Sequence, residues 1–133
     1  MRRGDVDVTT GSRLVTDVTA EVAQFARGGG DGLLNVFVPH ATAGVALMET
    51  GSGSEGDLAD AVARMLPRDA AYVHRHGSRG HGADHLLPVF VAPSLTIPVH
   101  GGRLALGTWQ RVVIVDPNGD NPERTLRLSL LEG

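Results

Sequence analysis

The sequence predicts a single α+β domain with mixed or antiparallel β-sheets and two or three helices. Its 133 residues correspond to one domain, at roughly 150 residues per domain. Hydrophobic residues make up 41% and charged residues 20% of the chain, which is typical of a folded globular protein. Segments of strand character flank the helical segments without regular β-α alternation, and this order favours an α+β fold over an α/β fold.

The first half of the chain is predicted to hold several short strands and two helices. Thr19 is a possible N-cap of the first helix, and Ser54 with Asp57 resembles a capping box at the start of the second helix. Pro39 ends a buried strand and Pro67 ends the second helix. The predicted elements are one or two strands within residues 1–18, a helix over 19–27, a strand over 33–38, an extended segment over 44–48 and a helix over 55–66.

The second half is predicted to hold one long loop, a short helix and a run of strands. Residues 67–83 are polar, rich in Gly and His and without a period, and loops of this length in compact domains are usually functional or disordered. A short helix is expected near Asp84. Gly101-Gly102 predicts a hairpin turn, because Gly readily adopts a positive φ. The predicted strands are 95–99, 103–106, 111–115 and 124–130, the last with strict alternation.

Composition excludes several classes of function. The net charge of −3 and only five aromatic residues argue against a nucleic-acid partner. The chain contains no Cys and no Lys, which excludes thiolate and Schiff-base chemistry and the phosphate-binding lysine of P-loops. No apolar run approaches the roughly 18 residues of a membrane span, and the residues after Met1 do not resemble a signal peptide. We therefore expect a soluble, cytoplasmic protein without a membrane partner.

Histidines are the first candidates for a functional site. Four of the six fall between residues 74 and 85, as His74, His76, His81 and His85. One interpretation is a solvated, His-rich loop. The other is a metal or proton-transfer site, because neutral imidazole is a common ligand of transition metals and titrates near neutral pH. The spacing matches no standard zinc motif, so the sequence leaves both open. His40 follows a strand end, where functional side chains often lie.

Two small-residue loops and one Trp-containing segment are further candidates. The Gly51–Ser54 loop precedes a helix, whose unpaired amides and dipole favour an anion, although a flexible linker with a Ser cap is the alternative. The Thr42–Gly44 loop has the same possible use. Trp109 is expected to be buried, because a Trp side chain is a large apolar body. Thr108 and Gln110 are then expected to face the site.

Several short segments resemble a known family in their order along the chain. They are Pro39–Gly44, Met48-Glu49, Tyr72–His74, Asp84–Leu86, Pro93–Leu95, Ile97–Leu104 and Gly107–Gln110. Together they resemble the YjbQ-like family, also called the secondary thiamine-phosphate synthase family. The Gly107-Thr108-Trp109-Gln110 element, a few residues after Pro98-Val99-x-x-Gly102, is the most specific part. The resemblance covers nearly the whole chain.

The resemblance implies a fold whose sheets pack around a threefold axis, and hence a homotrimer. It implies an enzyme of the transferase class, in thiamine biosynthesis, which joins a pyrimidine methyl diphosphate to a thiazole phosphate with loss of pyrophosphate. The chain departs from the family pattern at Met48, at Ser52-Gly53 and at His81. The residues on family motif positions are His40, Thr42, Glu49, Asp57, His74, His85, Thr108, Trp109 and Gln110.

Roles follow from these positions. A divalent metal, with zinc favoured and magnesium as the alternative, is expected on His40, His74 and His85, completed by water or Glu49. His76, His81 and His100 are expected to be exposed and not to be ligands, although His81 could replace a missing acid. The expected catalytic residues are His40, Glu49, His85 and Gln110. The expected substrate-binding residues are Thr42, Ala43, Ser52, Ser54, Asp57 and Thr108.

The sequence leaves the reaction open. Glu49 with Asp57 is the one carboxylate pair that could hold magnesium for diphosphate chemistry. A second hypothesis is a His-metal hydrolase of a small phosphorylated substrate, with Glu49 as general base. A third is a non-catalytic trimer that binds a small anionic metabolite.

Overall fold

The structure of the chain, a computed structural model, describes residues 1–74 and 77–133. Within these ranges the chain forms eight strands and four helices. In chain order they are β1 (Arg2–Thr9), β2 (Val15–Asp17), α1 (Thr19–Ala26), β3 (Gly32–Phe37), β4 (Gly44–Met48), α2 (Ser54–Met65), α3 (His81–Asp84), α4 (Leu87–Phe90), β5 (Ser94–His100), β6 (Arg103–Leu104), β7 (Arg111–Val115) and β8 (Glu123–Glu132). None of the helices in the described ranges has the length and apolar character that spanning a membrane requires.

The strands form two antiparallel sheets. The larger sheet has the order β1-β8-β3-β5-β6 and the smaller sheet the order β2-β7-β4. Every pair in both sheets is antiparallel. This confirms the predicted α+β class, in its antiparallel form. The alternation predicted for the last strand is also confirmed, because Leu126, Leu128 and Leu130 are fully buried between more exposed neighbours.

Strand β7 forms the middle of the packing because both of its faces are buried. Val112 and Ile114 join the core between the two sheets, where α1 also packs. Val113 and Val115 join a second apolar cluster on the opposite face of the small sheet, with α2, α3 and α4. Each fully buried aliphatic side chain contributes roughly 1.5–3 kcal/mol. The uninterrupted apolar run of β7 is therefore what allows layers on both sides of the small sheet.

The predicted hairpin turn is confirmed. Gly101 and Gly102 connect β5 to β6 and have φ values of 54° and 74°, which side chains with a Cβ rarely adopt. The strand after the turn is shorter than predicted, since it ends at Leu104.

The helix limits agree with the sequence, but the caps differ. The N-cap of α1 is Val18, and Thr19 is the first helical residue. The Asp17 carboxylate accepts hydrogen bonds from both the backbone N–H and the hydroxyl of Thr19, at 2.9 and 2.7 Å. The prediction of Thr19 as N-cap was therefore wrong by one position.

The predicted capping pair of α2 was also wrong. The N-cap is Gly53, with φ 93°, and no side chain caps the helix. Ser54 lies inside the first turn, so its hydroxyl is not placed to cap, and Asp57 is exposed. Instead the Glu55 carboxylate accepts the backbone N–H of Gly51 at 3.1 Å, which orders the preceding loop.

Two connections between the sheets meet at one end of the small sheet. Residues 38–43 lead from β3 in the large sheet to β4 in the small sheet, and residues 116–122 lead from β7 back to β8. The Thr42 hydroxyl donates to Asp116 Oδ1 at 3.0 Å and so joins the two connections. This end of the small sheet carries the candidate site.

Candidate functional site

The short helix α3 places two histidines side by side. His81 begins the helix and His85 is its C-cap, and residues four apart lie on the same helix face. Their ring centroids are 4.5 Å apart, and their Nε2 atoms are separated by 2.8 Å. Only 17% of the His81 side chain is exposed. The expectation that His81 is solvent-exposed was therefore wrong, because α3 turns its ring toward His85.

His74 completes a group of three imidazoles. Its ring centroid lies 4.5 Å from that of His85 and 5.2 Å from that of His81. One nitrogen from each of the three rings lies within 4.8 Å of the others. Two nitrogens bound to a tetrahedral zinc ion are about 3.4 Å apart, given Zn–N bonds near 2.1 Å. The 2.8 Å between the His81 and His85 nitrogens is shorter than this spacing and the 4.8 Å limit of the group is longer, so zinc needs only small shifts of the three rings.

A buried polar network holds α3 in place behind the histidines. Asp84 is 1% exposed and accepts hydrogen bonds from Arg68 and from Asn118 Nδ2, the latter at 3.0 Å. Asn118 Oδ1 accepts the backbone N–H of Asp120 at 2.8 Å, so the amide orientation of Asn118 is fixed from both ends. Its Nδ2 is also 3.1 Å from His81 Nδ1. Asn118 therefore orients the His81 ring.

Arg68 links this helix to two loops. Besides Asp84, its guanidinium donates to the carbonyl oxygens of Pro117 at 3.3 Å and Arg79 at 2.9 Å. One side chain thus joins α3, the segment before it and the connection from β7 to β8. The position of the histidines depends on this link.

A cavity of about 430 Å³ adjoins the histidines. Predicted site residue His40 lies on its wall, and its Nε2 accepts the backbone N–H of Thr125 at 2.9 Å. Burial, followed by the nearby Arg124 guanidinium, holds the pKa of His40 below its usual value. The ring is therefore neutral at pH 7. The cavity is lined by Pro39, His40, Ala41, Thr42, His81, His85, Asn118, Asp120, Asn121 and Arg124.

Arg124 is a buried cation on the same wall. It is 7% exposed. Its Nε donates to Asp116 Oδ2 at 2.5 Å, and its Nη2 donates to the Thr42 hydroxyl at 3.3 Å. Asp116 is itself 3% exposed, so the pair is shielded from water and its geometry is fixed. The predicted binding residue Thr42 therefore contributes by holding Arg124 and Asp116.

The predicted site residues divide into two groups in the chain. His74 and His85 meet each other together with His81, while His40 lies on the adjoining cavity and outside the group of three. Thr42 also lies on that cavity, whereas Ala43 is fully buried in the core, so its prediction as a substrate-binding residue was wrong. The remaining predicted residues lie beyond the far ends of β4 and β7, where Met48 pairs with Arg111. Strand β4 extends over about 14 Å from Gly44, at the end of the small sheet near the histidines, to Met48 at the other end. This far group consists of Glu49, Ser52, Ser54, Asp57, Thr108 and Gln110.

Trp109 lies in this far group, and its expected burial was wrong. The side chain is 71% exposed. The Gly107–Gln110 segment forms a tight turn, in which Gln110 N donates to Gly107 O at 3.1 Å and Gly107 N donates to Gln110 Oε1 at 2.8 Å. The Gln110 amide oxygen thus caps its own turn, and the turn directs Trp109 outward.

The remaining histidine predictions have different outcomes. His100 is exposed, as expected. His76 lies outside the described residues. The sequence did contain a signal for His81, since His81-x3-His85 is the spacing of one helical turn. The sequence did not reveal the polar network around the site, because contacts such as Thr42–Asp116 and Asn118–Asp84 join residues 74 and 34 apart and leave no local pattern. The residues missed are Arg68, Asp84, Asp116, Asn118 and Arg124.

The fold and site together define an α+β protein with a candidate three-histidine metal centre beside a cavity that contains a buried arginine. A family model described as UPF0047 protein YjbQ-like matches residues 4–133. The chain therefore belongs to the UPF0047 (YjbQ-like) family, as the sequence resemblance indicated.

Relatives and solved structures agree with this assignment. The chain is 61% identical over 128 residues to the UPF0047 protein Mb2586c of Mycobacterium bovis, covering 96% of this chain and 99% of that protein. It is 36% identical to the hypothetical protein APE1520 from Aeropyrum pernix K1, whose crystal structure matches with a TM-score of 0.91 over 100% of both chains. A YbjQ-like protein of unknown function from Sulfolobus solfataricus P2 also matches with a TM-score of 0.91, at 25% identity over 99% of this chain and 97% of that chain.

Proposed function

We propose that the protein is a metal-dependent enzyme that acts on a small phosphorylated substrate. The observation that carries this proposal is the convergence of three imidazoles, those of His74, His81 and His85, on one point beside a cavity. Three histidine ligands with one position left to water are typical of catalytic zinc. His81 thus takes the place of His40 in the ligand set proposed from the sequence.

Hydrolysis of a phosphate ester is the reaction that this geometry supports best. A zinc ion with such ligands supplies a Lewis acid for a phosphoryl oxygen and activates water. Asp120 Oδ2 lies 3.8 Å from His81 Nδ1, on the side of the ring where a metal-bound histidine commonly has an outer partner that accepts its N–H. Glu49 lies at the far end of β4. We therefore propose Asp120, the carboxylate on the cavity wall, as the proton acceptor in place of Glu49.

Thiamine-phosphate synthesis is the second candidate. Arg124 on the cavity wall favours it, because a departing pyrophosphate needs positive charge and hydrogen-bond donors. The Glu49 and Asp57 pair proposed for magnesium lies in the far group, both side chains being exposed. This proposal therefore also depends on the histidine site.

Elemental analysis tests the metal. Protein purified without a histidine tag is expected to contain one zinc per chain, and His85→Ala and His81→Ala are expected to lose it. His100→Ala is the matched control, since this exposed histidine lies at the hairpin, and it is expected to keep the zinc. If the wild-type protein takes up no zinc even when zinc is added, the proposal fails.

Two activity assays then separate the reactions. Release of phosphate from simple phosphate esters by the zinc-loaded protein supports the hydrolase. Formation of thiamine phosphate from the pyrimidine methyl diphosphate and the thiazole phosphate supports the synthase. Tight binding of these substrates without turnover would leave the non-catalytic binding protein as the remaining hypothesis and refute both enzymes.

We also propose that the chain forms a homotrimer, as the resemblance implies. In support, Val89 and Phe90 are neighbours on α4 and are 75% and 60% exposed, and contiguous exposed apolar side chains mark association surfaces. Light scattering is expected to give three times the chain mass of 13.9 kDa. A mass of one chain at micromolar concentration would contradict the trimer.

A further inference from the structure

The cavity beside the three histidines has a second chemical feature that the metal does not use. Arg124 lies on its wall with a fixed guanidinium, because Nε is bound to Asp116 and Nη2 to Thr42. In the described part of the chain, Nη1 donates to no protein acceptor. A guanidinium held in this way is already oriented before a ligand arrives, which lowers the entropic cost of binding.

His40 adds a second donor to the same cavity. The backbone N–H of Thr125 can only donate, so His40 Nε2 must accept, at 2.9 Å. In the neutral ring the proton is then on Nδ1, which makes Nδ1–H a donor. The lowered pKa of His40 keeps the ring in this neutral form. Arg124 and His40 therefore line the same cavity as His81 and His85, and each has an N–H outside its described protein hydrogen bonds.

We infer that Arg124 and His40 form a binding site for the phosphoryl group of the substrate, adjoining the three-histidine centre. A phosphoryl group has several terminal oxygens and binds donors from different directions, and arginine is a preferred partner for it. The cavity volume of about 430 Å³ admits a small phosphorylated molecule. This inference deepens the proposed function and names the group that the substrate must contain.

Asp120 is the one carboxylate on the cavity wall, and its negative charge repels a bound anion. Its side chain is 51% exposed, and it accepts a hydrogen bond from the Ser78 hydroxyl at 2.6 Å. Water and salt therefore screen its charge. Asp116, by contrast, is buried and already paired with Arg124, so it contributes orientation and little free negative charge.

The test is calorimetric titration with inorganic phosphate, carried out on zinc-free protein and on protein loaded with one equivalent of zinc. The wild type is expected to bind one phosphate per chain in both forms, and more tightly with zinc. Arg124→Lys keeps the charge and loses the planar guanidinium, so we expect at least tenfold weaker binding. The matched control is Arg127→Lys, on the same strand but exposed and paired with Asp5, which is expected to stay within twofold of the wild type.

A second variant tests the same inference if the Arg124→Lys protein does not fold. The double variant Asp116→Asn, Arg124→Gln replaces the buried ion pair by a neutral hydrogen-bonded pair, and it is expected to lose phosphate binding. Acetate is titrated as the carboxylate probe and is expected to bind at least tenfold more weakly than phosphate. Equal affinity for acetate would overturn the phosphoryl assignment.

The outcomes separate this inference from the proposed function. Phosphate affinity unchanged in a folded Arg124→Lys protein overturns the inference, whereas the zinc-dependent reaction of the wild type would still stand. Arg124-dependent phosphate binding in a wild-type protein that takes up no zinc supports the inference and overturns the proposed function.

Discussion

Replacing Asp84 by Asn tests whether the network behind the histidines stabilises the fold. Asp84 is 1% exposed and accepts hydrogen bonds from Arg68 and Asn118. A hydrogen bond to a charged group contributes about 1.5–3 kcal/mol, and breaking a buried ion pair costs about 3–5 kcal/mol. Because the Arg68 side chain is 43% exposed, water recovers part of this loss. We therefore expect Asp84→Asn to lower the free energy of unfolding by about 2–4 kcal/mol.

Urea unfolding in the presence of EDTA measures this loss without a contribution from metal. In thermal unfolding, the same change corresponds to a Tm lowered by roughly 10 °C for a domain of this size. Asp60→Asn, an equal change of charge at an exposed position of α2, is the control and is expected to stay within about 0.5 kcal/mol of the wild type. If Asp84→Asn also stays within that range, the network does not support α3 and our account of the site is wrong.

Three further predictions follow from other parts of the structure. Folding lowers the pKa of His40, so as pH falls below about 6.5 the unfolded chain binds a proton on His40 before the folded chain does. The free energy of unfolding therefore falls as pH falls toward the folded pKa. Urea unfolding at pH 7.5 and 5.5 is expected to show a smaller loss of this free energy for His40→Gln than for the wild type. Trp109→Ala is expected to cost less than about 1 kcal/mol, and not the roughly 3–5 kcal/mol of a buried Trp; a larger cost that varies with protein concentration would place Trp109 in an interface between chains. In thermal unfolding, Gly56→Ala in α2, where a Cβ meets open space, is expected to add about 0.5–1 kcal/mol of stability, while Gly44→Ala, whose Cβ would lie 2.0 Å from the Val91 carbonyl oxygen, is expected to cost at least about 2 kcal/mol. Equal effects of the two glycine substitutions would contradict the close approach at Gly44.

Much of the fold could be predicted from the sequence, because its signals are local. The apolar run of β7 was predicted with its observed limits, Arg111–Val115, since β-branched residues and flanking polar residues mark a buried strand. The caps of α1 and α2 were missed, because a shift of one residue decides whether a hydroxyl faces the free amides. The outward position of Trp109 was also missed, because average burial of Trp says nothing about the direction of one particular turn.

Less of the candidate site could be predicted. His74 and His85 were expected to meet, and the structure places them together. Their third partner is His81, which the sequence treated as part of a solvated loop. Arg124 and Asp116 could not be found from the sequence, because their pairing depends on how the connection from β7 to β8 folds back on Thr42. Thr42 lies 74 residues before Asp116 along the chain, and the periodicity of the sequence does not reveal a contact over such a separation.

The joining of the two connections between the sheets has a consequence for how the molecule opens. Thr42, Asp116 and Arg124 bind one another at the place where the chain crosses from one sheet to the other. The cavity cannot open there by fraying of a single loop, because all three anchors must separate together. Backbone amides around it, such as that of Thr125, should therefore exchange with solvent only in openings close to global unfolding. A ligand in this cavity accordingly stabilises the whole chain against unfolding, and a destabilised core loses the binding site at the same time.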